Sequence, residues 1–126
     1  MKLRIKGNSL RLRISRTEMA RLLADGGIEE TICFGRAADA RLTYALEHRA
    51  GSDEVGVEYR GQRVSIVIST DAATRWAQGD DVGIYGSSET VCGTLEVIVE
   101  KDFACLDGND PHDADAFPNP AAGVVC

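Results

Sequence analysis

Residues 2–15, KLRIKGNSLRLRIS, contain the alternation that decides the fold. Leu3 and Ile5 lie on one side of an extended chain and the cations between them on the other, and the pattern resumes at Leu10. A period of two residues predicts β structure, and Gly7-Asn8-Ser9 predicts a bulge or turn between two strand halves. We therefore expect this segment to form a strand with one apolar and one cationic face.

A short helix and two strands are predicted to follow. Ser15 or Thr17 is placed to cap the helix, and Gly26-Gly27 is typical of its C-terminal end. Apolar segments at 28–34 and 42–46 then predict two strands.

The second half of the chain repeats this order. An alternating strand at 64–68 leads to a cap at 69–71, a helix that ends at Gly79, and strands at 82–85 and 95–99. With a shift of 54 residues the halves agree in residue type at Gly7 and Gly61, Leu10 and Val64, Leu12 and Ile66, Ile14 and Ile68, and Ser15 and Ser69. Chance similarity of two amphipathic units is the alternative, but the matched order favours an internal duplication.

These patterns predict the fold class and the domain limits. We expect a β-rich α+β fold in which duplicated β-α-β-β units form a pseudo-twofold barrel or sandwich with two short helices. One domain would cover residues 1–101, with repeats at about 1–50 and 55–101. Residues 102–126 would form an acidic, Pro-containing tail.

Composition narrows the class of protein further. The chain has 126 residues, no apolar run long enough to cross a bilayer and no signal-peptide pattern at its start, so we expect a cytoplasmic protein. Its four cysteines form no Cys-x-x-Cys pair, which argues against a zinc ribbon or a redox motif. Cys33 and Cys92 are expected to be buried as small hydrophobic residues.

Positive charge is concentrated in the first segment. Residues 1–16 carry six cations and no acid, whereas the whole chain has a net charge of −6, so the remainder sums to −12. Arg4, Lys6, Arg11 and Arg13, with Lys2, are predicted to project from the solvent face and are the candidate residues for binding nucleic acid or another anion. Two alternatives stay open: the cations protect an exposed strand, or they pair with the acidic tail.

The tail offers a second candidate site. Cys105, His112 and Asp113 are residue types that bind transition metals, although their spacing is not that of a known motif. A solvated, turn-rich tail is the alternative. Phe117, which precedes two prolines, is expected to anchor the tail in a groove, most simply a groove of its own domain.

Two resemblances add to this interpretation. The segment from Lys6 to Ser15 resembles the turn and strand of the AbrB and MazE swapped-hairpin fold, and the residues after the second helix, Gln78 to Ile84, resemble that group's next turn and strand. Such a resemblance implies DNA binding through the N-terminal strand region. The whole chain is also similar to an uncharacterised family of small bacterial proteins, through Lys-Gly-Asn-Ser at 6–9, Glu-Lys-Asp-Phe-Ala-Cys-Leu-Asp at 100–107 and Pro-Asn-Pro at 118–120.

The sequence favours a non-catalytic binding or regulatory protein. No phosphate-binding glycine loop and no nucleophile motif is present, so an enzyme is the less favoured class and no cofactor is predicted. A DNA-binding regulator of the AbrB and MazE type is one alternative, and a small metal-binding protein or enzyme that uses Cys105 and His112 is another. The partner would be nucleic acid or a protein and not a membrane, and the chain would be a monomer or a homodimer.

Overall fold

Two helices and eight strands make up the described part of the chain, residues 1–103 and 115–118 of a computed structural model. In chain order the elements are β1 (Lys2–Lys6), β2 (Ser9–Ile14), α1 (Arg16–Asp25), β3 (Gly27–Cys33), β4 (Arg41–Arg49), β5 (Val55–Arg60), β6 (Arg63–Ser69), α2 (Thr70–Gln78), β7 (Gly83–Thr90) and β8 (Gly93–Lys101). The predicted β-rich α+β class with two short helices is confirmed.

The strands form two four-stranded sheets. Sheet A has the order β1-β2-β8-β7, and sheet B has the order β3-β4-β6-β5. The central pairs, β2 with β8 and β4 with β6, are parallel, whereas all the outer pairs are antiparallel. Neither sheet closes on itself, so the described residues contain no closed barrel.

Each half of the chain has one strand more than the sequence predicted. The alternation on either side of Gly7 belongs to two antiparallel strands, β1 and β2, because Gly7 has φ of 55° and reverses the chain direction. In the second half β5 occupies the equivalent place before β6. The element order is therefore hairpin, helix, hairpin, twice over, and not β-α-β-β.

Both helices begin at the caps that the sequence indicated. The Ser15 hydroxyl accepts a hydrogen bond from the Glu18 backbone amide, while the Glu18 carboxylate accepts one from the Ser15 amide at 3.0 Å. Ser69 caps α2 by accepting a hydrogen bond from the Ala72 amide at 3.0 Å. Reciprocal capping satisfies backbone groups that an isolated helix leaves unpaired.

One hydrophobic core joins the two sheets and the two helices. Its fully buried members include Leu12 and Val99 of sheet A, Leu46 and Ile68 of sheet B, and Trp76 of α2. The sheets also touch at one edge, where a Cβ built on Gly86 of β7 would lie 1.9 Å from Val55 Cγ1 of β5. Only glycine allows that approach.

Cys33 and Cys92 are both exposed, so the expectation that they are buried is wrong. Cys33 ends β3 at the edge of sheet B, and Cys92 lies in the turn between β7 and β8. A strand end at a sheet edge and a turn are both open to solvent, so neither cysteine packs in the core. No helix in the described ranges is long and apolar enough to cross a membrane.

Two residues of the tail, Asp115 and Phe117, pack against the start of α1 and against residues 102 and 103. The Asp115 carboxylate accepts hydrogen bonds from the amide and the hydroxyl of Thr17, at 3.1 and 2.7 Å, at the start of α1. The Phe117 amide donates to the carbonyl of Asp102 at 2.8 Å, and its ring packs edge-on against Phe103 with centroids 6.3 Å apart. Phe117 thus packs on its own chain.

A candidate anion-binding face

Strand register brings five cations to one face of sheet A. In the β1–β2 hairpin Lys2 lies opposite Arg13, and Arg4 lies opposite Arg11, with Lys6 further along β1. Directly opposed residues of an antiparallel pair project to the same side, so these five side chains share the face that points away from the core. We call this surface the basic face: Lys2, Arg4, Lys6, Arg11 and Arg13.

Carboxylates next to the basic face neutralise three of its cations. Glu100 of β8 lies beside Arg13 in the parallel register, and its Oε1 is 3.2 Å from Nε of both Arg11 and Arg13. Lys2 pairs with Asp102 at 2.8 Å. Pairing with the acidic tail was one of the alternatives that the sequence left open. Among the described tail residues Asp102 forms one such pair, whereas Glu100, which lies beside two arginines, belongs to the last strand.

The two arginines do not share Glu100 equally. Arg13 Nε donates a hydrogen bond to Glu100 Oε1, whereas Arg11 Nε is close to the same oxygen without an aligned hydrogen bond. Arg11 Nε is also buried and has no hydrogen-bond partner among the described residues. The Nε atom of Arg11 is therefore a buried donor without a hydrogen bond, which is costly, although the side chain as a whole is 35% exposed.

Arg4 and Lys6 make no ion pair with any residue in the described ranges. Together with Ser9, Arg11 and Glu96 they line a pocket of about 300 Å³, which Leu10 and Ile98 complete. A smaller hollow of about 170 Å³ adjoins it, between the side chains of β1 and β2. Within the described ranges, the cations of the basic face that have no carboxylate partner therefore lie around a concave surface.

The corresponding face of sheet B carries balanced charge. Arg63 pairs with Glu29 and with Glu47 at 3.1 Å, and Arg49 pairs with Glu47 at 2.9 Å and with Glu58 at 2.8 Å. Hydrogen bonds that Arg49 donates to Glu58 hold the pKa of Glu58 below its ordinary value, and the bonds that Arg49 donates to Glu58 and Glu47 raise the pKa of Arg49. A cavity of about 500 Å³ on this side is lined by Arg21, Asp25, Glu29, Glu47 and Arg63 together with Gly26, Gly27 and Ile28. A pocket of about 460 Å³ on this sheet is lined by Arg49, Arg60 and Arg63, but Glu47 and Glu58 line it too and pair with two of these arginines, so its excess of positive charge is smaller than that of the pocket on sheet A.

The candidate metal ligands Cys105, His112 and Asp113 lie outside the described residues. Within 1–103 and 115–118, no group of three histidine, cysteine or acidic side chains is placed to hold a metal ion. The other histidine, His48, is hydrogen-bonded through Nδ1 to the Thr70 hydroxyl at 3.0 Å at the start of α2.

Three residues of this region escaped the sequence reasoning. Glu96 and Glu100 alternate with the core residues of β8, so a signal for their outward orientation was present, but their neighbour β2 is distant in sequence. Lys101 is 7% exposed, and its Nζ donates to the carbonyl of Gly79 at 3.0 Å and lies 5.4 Å from the Phe117 ring. Docking of the tail through Phe117 was expected from the sequence, but no local pattern indicates the burial of Lys101 beside it.

Comparison with known proteins assigns the chain to a family. Searches of curated proteins and of solved structures returned no significant match. A family model described as "Family of unknown function (DUF7009)" matches residues 1–121, nearly the whole chain. This agrees with the resemblance to an uncharacterised family, and the chain belongs to the DUF7009 family of unknown function.

Proposed function

We propose that this protein is a non-catalytic binding module that recognises an anionic partner through the basic face. The observation that carries the proposal is the pair of cations without carboxylate partners in the described structure, Arg4 and Lys6, at the edge of the pocket that Arg11 also lines. Cations on a rigid sheet are held in fixed register, which lowers the entropy lost when they bind an anion.

Nucleic acid of the kind bound by AbrB and MazE proteins is one candidate partner. The arrangement of hairpins supports this alternative, because each sheet combines a hairpin from one half of the chain with a hairpin from the other half. Glu96 and Glu100 on the same outer surface reduce the number of cations available to phosphates. If Arg4 and Lys6 each neutralise one phosphate, the slope of log K against log salt would be about −2 on a duplex.

We also propose that the two halves are repeats related by a pseudo-twofold axis within one domain of residues 1–101. Three features support this: the repeated order of hairpin, helix and hairpin, the two parallel strand pairs, and the two capping serines, Ser15 and Ser69. Two further carboxylates support it, since Glu47 and Glu100 occupy equivalent places on the central strands and both bind arginines.

The test is fluorescence anisotropy of a labelled mixed-sequence DNA duplex over a salt series. We expect wild-type protein to bind at low salt and the double variant Arg4→Gln, Lys6→Gln to lose that binding. The matched control is Arg36→Gln with Arg60→Gln, which removes the same charge from exposed positions away from sheet A. Equal binding by the two double variants, or no binding by the wild type, would remove nucleic acid as the partner of the basic face.

A further inference from the structure

We infer that the pocket lined by Arg4, Lys6, Ser9, Arg11 and Glu96 binds the phosphate group of a small hydroxylated phosphate monoester, such as a sugar phosphate. This inference rests on the proposed function, because it assigns a ligand class to the same basic face. The ligand is smaller than a nucleic acid, because it would enter one pocket and would not lie along the strands.

Like charges that face each other across strands indicate an anion at this position. Arg4 and Arg11 are directly opposite in the β1–β2 register, an arrangement that destabilises a hairpin when nothing lies between the charges. Three of the four opposed cations have a carboxylate: Lys2 pairs with Asp102, and Arg11 and Arg13 share Glu100. Arg4 is the one member of these two pairs without a carboxylate in the described structure, so an external anion beside Arg4 would complete the pattern.

The chemistry of the lining favours phosphate. Two guanidinium groups and an ammonium group offer several charge-assisted donors, and guanidinium geometry matches phosphate oxygens. The Ser9 hydroxyl is already used, because it donates to the Lys6 carbonyl at 2.6 Å. Recognition of the anion therefore depends on the three cations.

Glu96 determines which chemical groups the ligand can carry besides phosphate. Its carboxylate lines the same pocket and accepts hydrogen bonds only, so it would bind a hydroxyl group and repel a second phosphate group. A volume of about 300 Å³ is at the small end of ligand pockets. A monophosphate with hydroxyl groups fits both properties better than a polyphosphate does.

The experiment is isothermal titration calorimetry of the full chain with ribose 5-phosphate, inorganic phosphate, ribose and pyrophosphate. We expect ribose 5-phosphate to bind more tightly than the other three. The Arg4→Gln, Lys6→Gln variant should weaken it by about tenfold or more, as loss of charge-assisted hydrogen bonds implies. The Arg36→Gln, Arg60→Gln control should bind as the wild type does.

A second variant tests the hydroxyl contact separately. Glu96→Gln should strengthen binding of inorganic phosphate and of pyrophosphate while it reduces the advantage of ribose 5-phosphate over phosphate. Failure of ribose 5-phosphate to bind, or an unchanged ligand preference in Glu96→Gln, would overturn the inference. DNA binding that is lost in Arg4→Gln, Lys6→Gln without any small-phosphate binding would leave the proposed function standing and reject the pocket alone.

Discussion

Glu100 offsets the charge of two arginines of the basic face. Its side chain is 14% exposed and one of its oxygens lies between Arg11 and Arg13, the two arginines of β2. A partly buried carboxylate that serves two cations stabilises the sheet, and at the same time it competes with any external anion. Stability and ligand binding are therefore opposed at this position.

Replacement of Glu100 by Gln should separate the two effects. We expect the free energy of unfolding to fall by roughly 1 kcal/mol, since two charge-assisted contacts are lost. We expect anion binding to become tighter, because Arg11 and Arg13 are released. Urea denaturation and the anisotropy assay measure the two quantities.

Glu54→Gln is the control for this experiment, because Glu54 forms an exposed ion pair with Arg75 at 3.4 Å away from sheet A. Tighter binding in that variant as well would point to a general change in net charge. Unchanged binding in Glu100→Gln would mean that Arg11 and Arg13 take no part in the site.

At the level of elements, the sequence patterns were sufficient wherever the signal was local. The caps at Ser15 and Ser69 and the helix ends at Gly26 and Gly79 agree with the structure because each depends on neighbouring residues. Strand β5 was missed although Val55, Val57 and Tyr59 alternate with polar residues and glycine. The cations of β1 and β2 lie on one face because the hairpin fixes their register, and their role in anion binding stays a prediction.

The patterns were insufficient wherever a contact joined distant segments. Arg13 and Glu100 are 87 residues apart, and parallel pairing of their strands leaves no mark in either strand alone. The same reason hid the pocket itself, because Glu96 enters it from β8. Which residues line the pocket and which cations are neutralised therefore depends on the neighbouring strands, and composition does not reveal them.

The contact between Asp115 and helix α1 should depend on pH. Hydrogen bonds from Ser15 and Thr17, together with the nearby charge of Arg16, hold the pKa of Asp115 below its ordinary value of 3.8. A carboxyl whose pKa is lowered in the docked state stabilises docking above its ordinary pKa, and this stabilisation is lost as pH falls through the lowered value. Acid should therefore release residues 115–118 from the start of the helix.

Two-dimensional NMR of the Thr17 amide from about pH 6 to about pH 2 would follow this release. We expect a titration in the wild type that is missing from Asp115→Asn, whose side chain cannot ionise. Burial raises the pKa of Glu18, but hydrogen bonds and charge from the amino group of Met1 and from Ser15 lower it by more. Glu18 is present in both proteins, so its titration does not distinguish them. Identical curves for the two proteins would show that Asp115 does not control the contact.

For the whole molecule, the exchange of hairpins makes the two halves dependent on each other. Sheet A needs β1 and β2 from the first half and β7 and β8 from the second, and sheet B is divided in the same way. An isolated half would expose the apolar sides of two hairpins, which are at best marginally stable alone.

Cutting the chain in the turn at Gly51 tests this dependence. We expect residues 1–51 alone to be unfolded or to dimerise, and a mixture with residues 52–126 to recover the circular dichroism spectrum of the intact chain. Light scattering after size-exclusion chromatography distinguishes the two states of the fragment. A folded, monomeric half would contradict the proposed duplication.

The parallel pairing of β2 with β8 also imposes an order on assembly during synthesis. Every strand of sheet B has been made once the ribosome has passed Ser69, whereas sheet A lacks its central partner until Lys101 has been added. Closing the 87-residue loop between Arg13 and Glu100 loses more chain entropy than closing the short loop between Thr43 and Arg63. The additional cost in free energy is about 1 kcal/mol. The hairpin that carries the basic face is thus the first to be translated and the last to acquire its neighbour.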